Sequence, residues 1–194
     1  MLGTAQKFQR SISPDKTEGR LTTRVTWIDS IWILKDGVLD VRATDNKWGN
    51  WKHGKTSSLP RLTAWHGDSE SSYSYSGIKS KPNPWNKGLL YMKSEIERVT
   101  CTSFNSVLLN WYRDGDDHLG WHADNERELG TNPTIASLSL GETRDFVLRL
   151  NNAPSEKFTI PLEHGSLLDM YGDMQKFWQH SLPKRKKSES LESI

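Results

Sequence analysis

Cysteine is nearly absent from this sequence. A single one among 194 residues, Cys101, excludes an intrachain disulfide framework and a cysteine-based zinc site. Long apolar runs are missing as well. None approaches the roughly 18 residues that a membrane-spanning helix needs, and no N-terminal apolar stretch reads as a signal peptide. Neither sign of charge dominates: 26 basic residues stand against 24 acidic ones, a net of +2. Any role in binding a polyanion must therefore come from local patches. Together these absences point to an intracellular chain with no membrane partner, cytoplasmic in a bacterium and nuclear in a eukaryote. Nothing near Cys101 poises it as a nucleophile, so it reads as a small buried hydrophobe.

What is present is aromatic. Apolar residues make up only 34% of the chain and mean hydropathy is −0.72. Nine Trp, five Tyr and five Phe compensate, because each aromatic buries a large area. The length suits one domain with a sizeable core. The polar stretch 1–24, with "SPDKTEGR" inside it, is expected to be a flexible segment. A domain over 25–187 and a polar tail over 188–194 complete the division.

Within that domain, "KPNPWNKGLLYMKSEIERVT" begins with proline-rich turn chemistry and predicts an amphipathic helix over 87–99. Before it lie two polar loops, the Gly-rich basic stretch 44–61 and one ending in "YSYSGI" at 73–78. After it the pattern becomes β-rich. Short strands are predicted over 104–112, 134–140, 144–150, 157–162, 165–171 and 176–182, separated by turns. Several short antiparallel strands with a flanking helix indicate a mainly β, α+β architecture, either a barrel or a double-sheet sandwich.

The stretch "GWHADNERE" (120–128) places an imidazole and a carboxylate two residues apart. In extended backbone His122 and Asp124 share one side, a plausible pair of metal ligands, although such a pair also arises by chance in polar loops. A third ligand has to come from elsewhere. His180, in the strand-like "KFWQHSL", is the best candidate, and two histidines with one carboxylate leave open positions on a non-haem Fe(II). The other histidines, His53, His66, His118 and His164, lie in loops and turns and read as structural or surface residues. By the same alternation Asn110 and Tyr112 point the same way near the end of the strand 104–112.

Taken together, "NWYRDGDDHLGWHAD", "IASLSLGETRDFVLR" and "LEHGSLLDMYGDMQKFWQHSLPK" resemble the AlkB-like Fe(II)/2-oxoglutarate dioxygenases that repair alkylated nucleic acid, above all the DNA-acting vertebrate homologues. The resemblance implies a double-stranded β-helix, the jelly-roll or cupin-like core. It implies iron ligation by His122, Asp124 and His180, and 2-oxoglutarate contact by Asn110 and Tyr112. It also implies a damaged base flipped between His122 and Tyr75, with Glu126 at the base edge. A carboxylate there accepts from an exocyclic amino group, as on adenine or cytosine, and base–aromatic stacking contributes about 1–3 kcal/mol. The implied reaction uses O2 and removes the methyl group of 1-methyladenine or 3-methylcytosine in DNA, with RNA as an alternative. Formaldehyde, succinate and CO2 are its products, and a monomer is expected.

Three features remain open at this level. In the stretch 44–61, Lys47, Lys52 and Arg61 with Trp48 and Trp51 read either as a surface tracking the phosphate backbone or as an ordinary solvated loop. The run Lys184–Lys187 divides the same way. Past "HSLPK" the family continues into a strand of the form R-x-N-L-T-F-R, whose arginines hold the distal carboxylate of 2-oxoglutarate. Here "KRKKSESLESI" follows instead. Either this sequence stops short of its natural C-terminus, or this is a truncated member, whose co-substrate affinity is then expected to fall because lysine lacks the planar fork of arginine. Iron binding is expected in both cases. The competing functions are a dioxygenase of the same fold acting on RNA, protein or a small molecule, and a catalytically impaired nucleic-acid-binding member.

Overall fold

Alternating, β-branched segments dominate the second half of the chain, and they build most of the architecture. The computed structural model describes residues 23–27, 50–52, 55–57, 60–71, 73–75 and 78–185, with side chains over 60–71 and 81–185. In chain order the strands preceding the long helix are β1 (Thr23–Trp27), β2 (Asn50–Lys52), β3 (Lys55–Ser57), β4 (Leu62–Gly67), β5 (Tyr73–Tyr75) and β6 (Ile78–Ser80). Helix α1 (Lys87–Thr100) follows, then β7 (Ser106–Trp111), β8 (Leu119–His122), β9 (Ile135–Leu138), β10 (Arg144–Leu150), β11 (Lys157–Leu162) and β12 (Ser166–Met170). A short helix α2 (Met174–Phe177) leads directly into β13 (Trp178–Leu182).

Two antiparallel sheets matter for the site. One has the order β1-β12-β9 and the other β11-β10-β13-β8. Their facing side chains form one core: Phe146 and Leu148 from β10, Ile160 and Leu162 from β11, Leu168 and Met170 from β12, Met174 from α2 and Trp178 from β13. This is the double-sheet packing of a jelly-roll. Strand β12 is buried along all five residues. Its other face turns Leu167 toward Ile96 and Val99 of α1 and toward Ala136 and Leu138 of β9, so the helix covers the back of the smaller sheet. Two covered faces explain why Leu167 and Leu168 stand side by side where an exposed sheet would alternate.

The helix starts because Asn86 caps it, its Oδ1 accepting from the Leu89 backbone N–H at 2.9 Å. It ends at Cys101, which adopts a left-handed conformation (φ 56°) and donates its N–H to the Glu97 carbonyl. A residue in that role projects away from the core, and Cys101 is exposed. The expectation of a buried cysteine is therefore corrected.

Other differences are local. The predicted strand 176–182 is split, because the Asp173 carbonyl accepts from the Lys176 and Phe177 N–H groups and closes a helical turn before Trp178. Strand β1 begins at Thr23, inside the stretch expected to be flexible, and pairs along β12. Both predicted loops before the helix contain two-stranded ribbons, β2 with β3 and β5 with β6. Among the described residues, no helix is long and apolar enough to cross a membrane.

Candidate metal centre

Strands β8 and β13 are hydrogen-bonded neighbours, and His122 and His180 are direct cross-strand partners in their register. The side chains of such a pair lie on the same face. Their rings meet edge to face with centroids 4.2 Å apart. Asp124 follows two residues later and closes the set. Its Oδ1 lies 3.6 Å from His122 Nε2 and its Oδ2 lies 3.5 Å from His180 Nε2. One ligand atom from each residue falls within 4.8 Å of the others, and among the described residues no other group of three potential ligands gathers in this way.

Each member is held from behind. His122 Nδ1 lies 2.9 Å from the Gly120 carbonyl, a contact that requires the proton on Nδ1 and leaves the Nε2 lone pair facing the centre. His180 is buried, with the Phe146 ring stacked on it at 5.0 Å. Asp124 is anchored through its backbone: its N–H donates to Gln175 Oε1 at 2.9 Å, a link spanning 51 residues. Gln175 is itself buried, and its Nε2 approaches the Met170 sulfur at 3.9 Å. Helix α2 thus carries a residue that positions the carboxylate, and no sequence signal pointed to it.

The electrostatics suit a cation. Burial, reinforced by His122, pushes the His180 imidazole down to about 3, so it stays neutral with a lone pair available. Burial raises the Asp124 carboxyl, and nearby Glu126 raises it further, while His122 opposes the shift. The neutral His180 imidazole and the desolvated Asp124 carboxylate belong to a donor set that a divalent ion would relieve.

A second cluster forms where β7 pairs with β4. Asn110 lies opposite Thr63 in that register, and its Oδ1 accepts from Arg61 Nε at 2.7 Å. Burial raises the Tyr112 hydroxyl, with Arg61 and Arg144 offsetting part of the shift. The phenol therefore stays protonated and can donate. Arg144 lies over the Tyr112 ring, 5.5 Å from its centroid. Its guanidinium donates to the carbonyls of Asp114, Asp117 and Pro183, clamping the loop after β7 to the exit of β13.

The remaining candidates divide. Arg61, read from sequence as part of a surface tracking phosphates, is only 7% exposed. Its Nε bond to Asn110 Oδ1 ties it to the end of β7. Glu126 is half-buried just beyond the triad. Tyr75 closes β5 and Lys52 closes β2, while Lys47 and Trp48 lie outside the described residues. In the terminal basic run, Lys184 pairs with Asp116 at 3.7 Å and Arg185 pairs with Glu142. Of the histidines set aside from the metal, His53 lies outside the described residues, and the other three make contacts elsewhere: His66 with the Pro84 carbonyl, His118 with the Asp116 carbonyl and His164 with the Gly141 N–H.

Residues 40–193 match the 2OG-Fe(II) oxygenase superfamily. The chain belongs to that superfamily. Its AlkB-like character shows in the curated proteins it is similar to. It is 44% identical over 161 residues to the mouse alpha-ketoglutarate-dependent dioxygenase alkB homolog 3, covering 77% of this chain and 56% of the mouse protein. To the human DNA oxidative demethylase ALKBH2 it is 44% identical over 141 residues, covering 69% of this chain and 54% of the human protein. The chain thus spans about half the length of the curated relatives it matches. Among solved structures it is similar to OsALKBH1, with a TM-score of 0.51 at 18% identity over 66% of this chain and 67% of that one. That likeness supports the jelly-roll fold.

Fe(II) and 2-oxoglutarate are the cofactor and co-substrate this superfamily uses. The two histidines and one carboxylate of the first cluster fit the metal in number and type. Removing the support behind Asp124 should be felt at the metal. Gln175→Leu is expected to weaken Fe(II) affinity about 10–100-fold, read by chelator competition, while Gln175→Glu, which keeps an acceptor oxygen, retains most of it.

Proposed function

We propose that this chain is a nucleic-acid demethylase that oxidatively removes methyl groups from 1-methyladenine and 3-methylcytosine in DNA, carried by a domain over 25–187. The observation that supports this most is the cross-strand pairing of His122 with His180 beside Asp124, in a chain similar to proteins named for DNA demethylation. Each turnover would consume 2-oxoglutarate and O2 and release succinate, CO2, formaldehyde and the unmodified base.

In this reading His122, Asp124 and His180 hold Fe(II) and leave its remaining positions open for co-substrate and O2. When bound, the metal supplies the oxidation of the N-methyl carbon, coupled to decarboxylation of 2-oxoglutarate. The protein's own groups orient the reactants. Asn110 and Tyr112 present amide and phenol donors to the co-substrate. The substrate base leaves its stack to reach the metal, which costs least when methylation has already broken its pairing. Tyr75 offers a stacking surface, and Glu126 accepts from the exocyclic amino group. Lys47, Trp48 and Lys52 belong to the surface that meets the strand.

Formaldehyde release from oligonucleotides carrying either base, with Fe(II) and 2-oxoglutarate supplied, is the direct test. Product from DNA supports the reading. Product from methylated RNA alone would replace the substrate, and none from a folded, iron-loaded chain would remove the activity. Glu126→Ala is expected to alter the ratio of turnover on 1-methyladenine to that on 3-methylcytosine. An unchanged ratio would strip Glu126 of its role at the base edge.

A further inference from the structure

The two histidines of the triad are seated by different means. His122 has a hydrogen bond behind it, between Nδ1 and the Gly120 carbonyl, and that bond sets both its tautomer and its plane. His180 has no such bond. Its Nε2 faces Asp124 at 3.5 Å, and a ring that offers Nε2 as a ligand carries its proton on Nδ1. Among the described residues, no group accepts from that buried atom. A metal-binding imidazole almost always donates its second N–H to a carboxylate, a carbonyl or a water. Here no polar group of the described chain resists rotation of the ring about its Cβ–Cγ bond, and a turned ring would carry Nε2 away from the centre.

What meets the ring instead is aromatic. Strand β10 pairs with β13, and Leu148 lies opposite His180. Phe146 stands two positions before Leu148 on the same face, which makes it a diagonal neighbour of His180 and puts the imidazole within reach of its ring. The two rings stack with centroids 5.0 Å apart and only 22° between their planes, while His122 meets the same imidazole edge to face. Phe146 is itself buried in the core cluster, with Ile160 of β11 as its cross-strand partner, so it cannot turn with the imidazole. A fixed flat surface lying nearly parallel to a ring opposes the rotation that a hydrogen bond would otherwise oppose. The contact has an electrostatic side too: a bound cation draws electron density from the imidazole, and the negative face of a phenyl ring favours an electron-poor neighbour.

We propose that Phe146 is a positioning residue of the metal centre, its ring fixing the plane of His180 as a hydrogen bond fixes that of His122. This rests on the reading of His122, Asp124 and His180 as the Fe(II) ligands. The test pairs Fe(II) affinity, by chelator competition without oxygen, with the visible absorption of the Co(II)-loaded protein, which reports ligand geometry. Phe146→Leu keeps an apolar residue in the core and removes the flat ring. It is expected to weaken Fe(II) about tenfold or more, as for other losses of a residue that orients a ligand, and to shift the Co(II) bands. Phe146→Met fills the space with an adaptable chain, should do the same, and serves if the leucine variant does not fold. Phe146→Tyr restores the ring and should keep Fe(II) affinity within about twofold of the parent, with parent-like bands. Leu168→Ala truncates the same core from the facing sheet and should lower the thermal midpoint while moving neither reading. Parent-like affinity and bands in the leucine and methionine variants would overturn the proposal. An equal loss of Fe(II) in Leu168→Ala would overturn it too, reducing Phe146 to core packing. If the unsubstituted chain binds no Fe(II), the metal centre itself fails and this proposal with it.

Discussion

Asp124→Ala is expected to bring formaldehyde release down to background while leaving the protein folded. Asp124 sits between the two imidazoles and is the only anionic member of the triad. Without it, only the two imidazoles remain, and the attraction of a carboxylate for a divalent ion in a desolvated pocket disappears. Losing even an outer partner of a metal ligand weakens binding about 10–100-fold, so losing the carboxylate should exceed that range. The fold should tolerate the change, because this side chain is one-quarter exposed, at 25%, and contributes no apolar packing. His122→Ala should behave alike. His180→Ala should also lose turnover, but it removes a buried ring from its stack on Phe146 and so costs stability too. The measurement is paired: product release together with Fe(II) affinity by chelator competition, against a thermal melt of the metal-free protein. After chelation, added Fe(II) should restore the parent chain and none of the three variants. Turnover by Asp124→Ala near the parent rate would mean that the triad does not carry the chemistry.

The parts of this arrangement that could be read in the sequence are those set by local chemistry. Strands β10 and β11 run over Arg144–Leu150 and Lys157–Leu162, the bounds expected from their alternation and from the turn residues between them. Helix α1 starts where Asn86 can cap it. The shared side of His122 and Asp124 follows from extended backbone over three residues. What joins His180 to them is the β8–β13 register, a tertiary fact that no spacing encodes. Its strand-like context makes it the best candidate and the family resemblance implies it, but neither shows the pairing. Gln175 was missed for the same reason, since its contact with Asp124 bridges 51 residues. The burial of Arg61 has a different reason. It ends a stretch rich in Lys, Gly and Ser, and the alternation of "RLTAWHG" puts it on the face opposite the buried Ala64, so nothing in the local pattern signals that its side chain is covered.

Trp178→Ala should cost about 3–5 kcal/mol of stability, the usual range for truncating a buried large aromatic. Trp178 is completely buried, and its ring meets Phe158 edge to face at 5.5 Å. It belongs to the cluster that joins β10, β11, β12 and α2. Its place in the chain makes the loss functional as well as structural. It lies two positions before His180 on the same strand, so both side chains point to one face. The packing that seats Trp178 also fixes how β13 lies against β10, where Leu150 pairs with Trp178 and Leu148 with His180. A cavity at Trp178 would loosen that strand and, with it, the geometry opposite His122. Native stabilities lie at about 5–15 kcal/mol, so this single change takes a large share and should lower the urea midpoint sharply. Trp178→Phe retains an aromatic and should cost distinctly less. Fe(II) affinity should fall in the same order as stability across the two variants. Lost stability with unchanged metal affinity would show that the triad does not depend on the seating of β13.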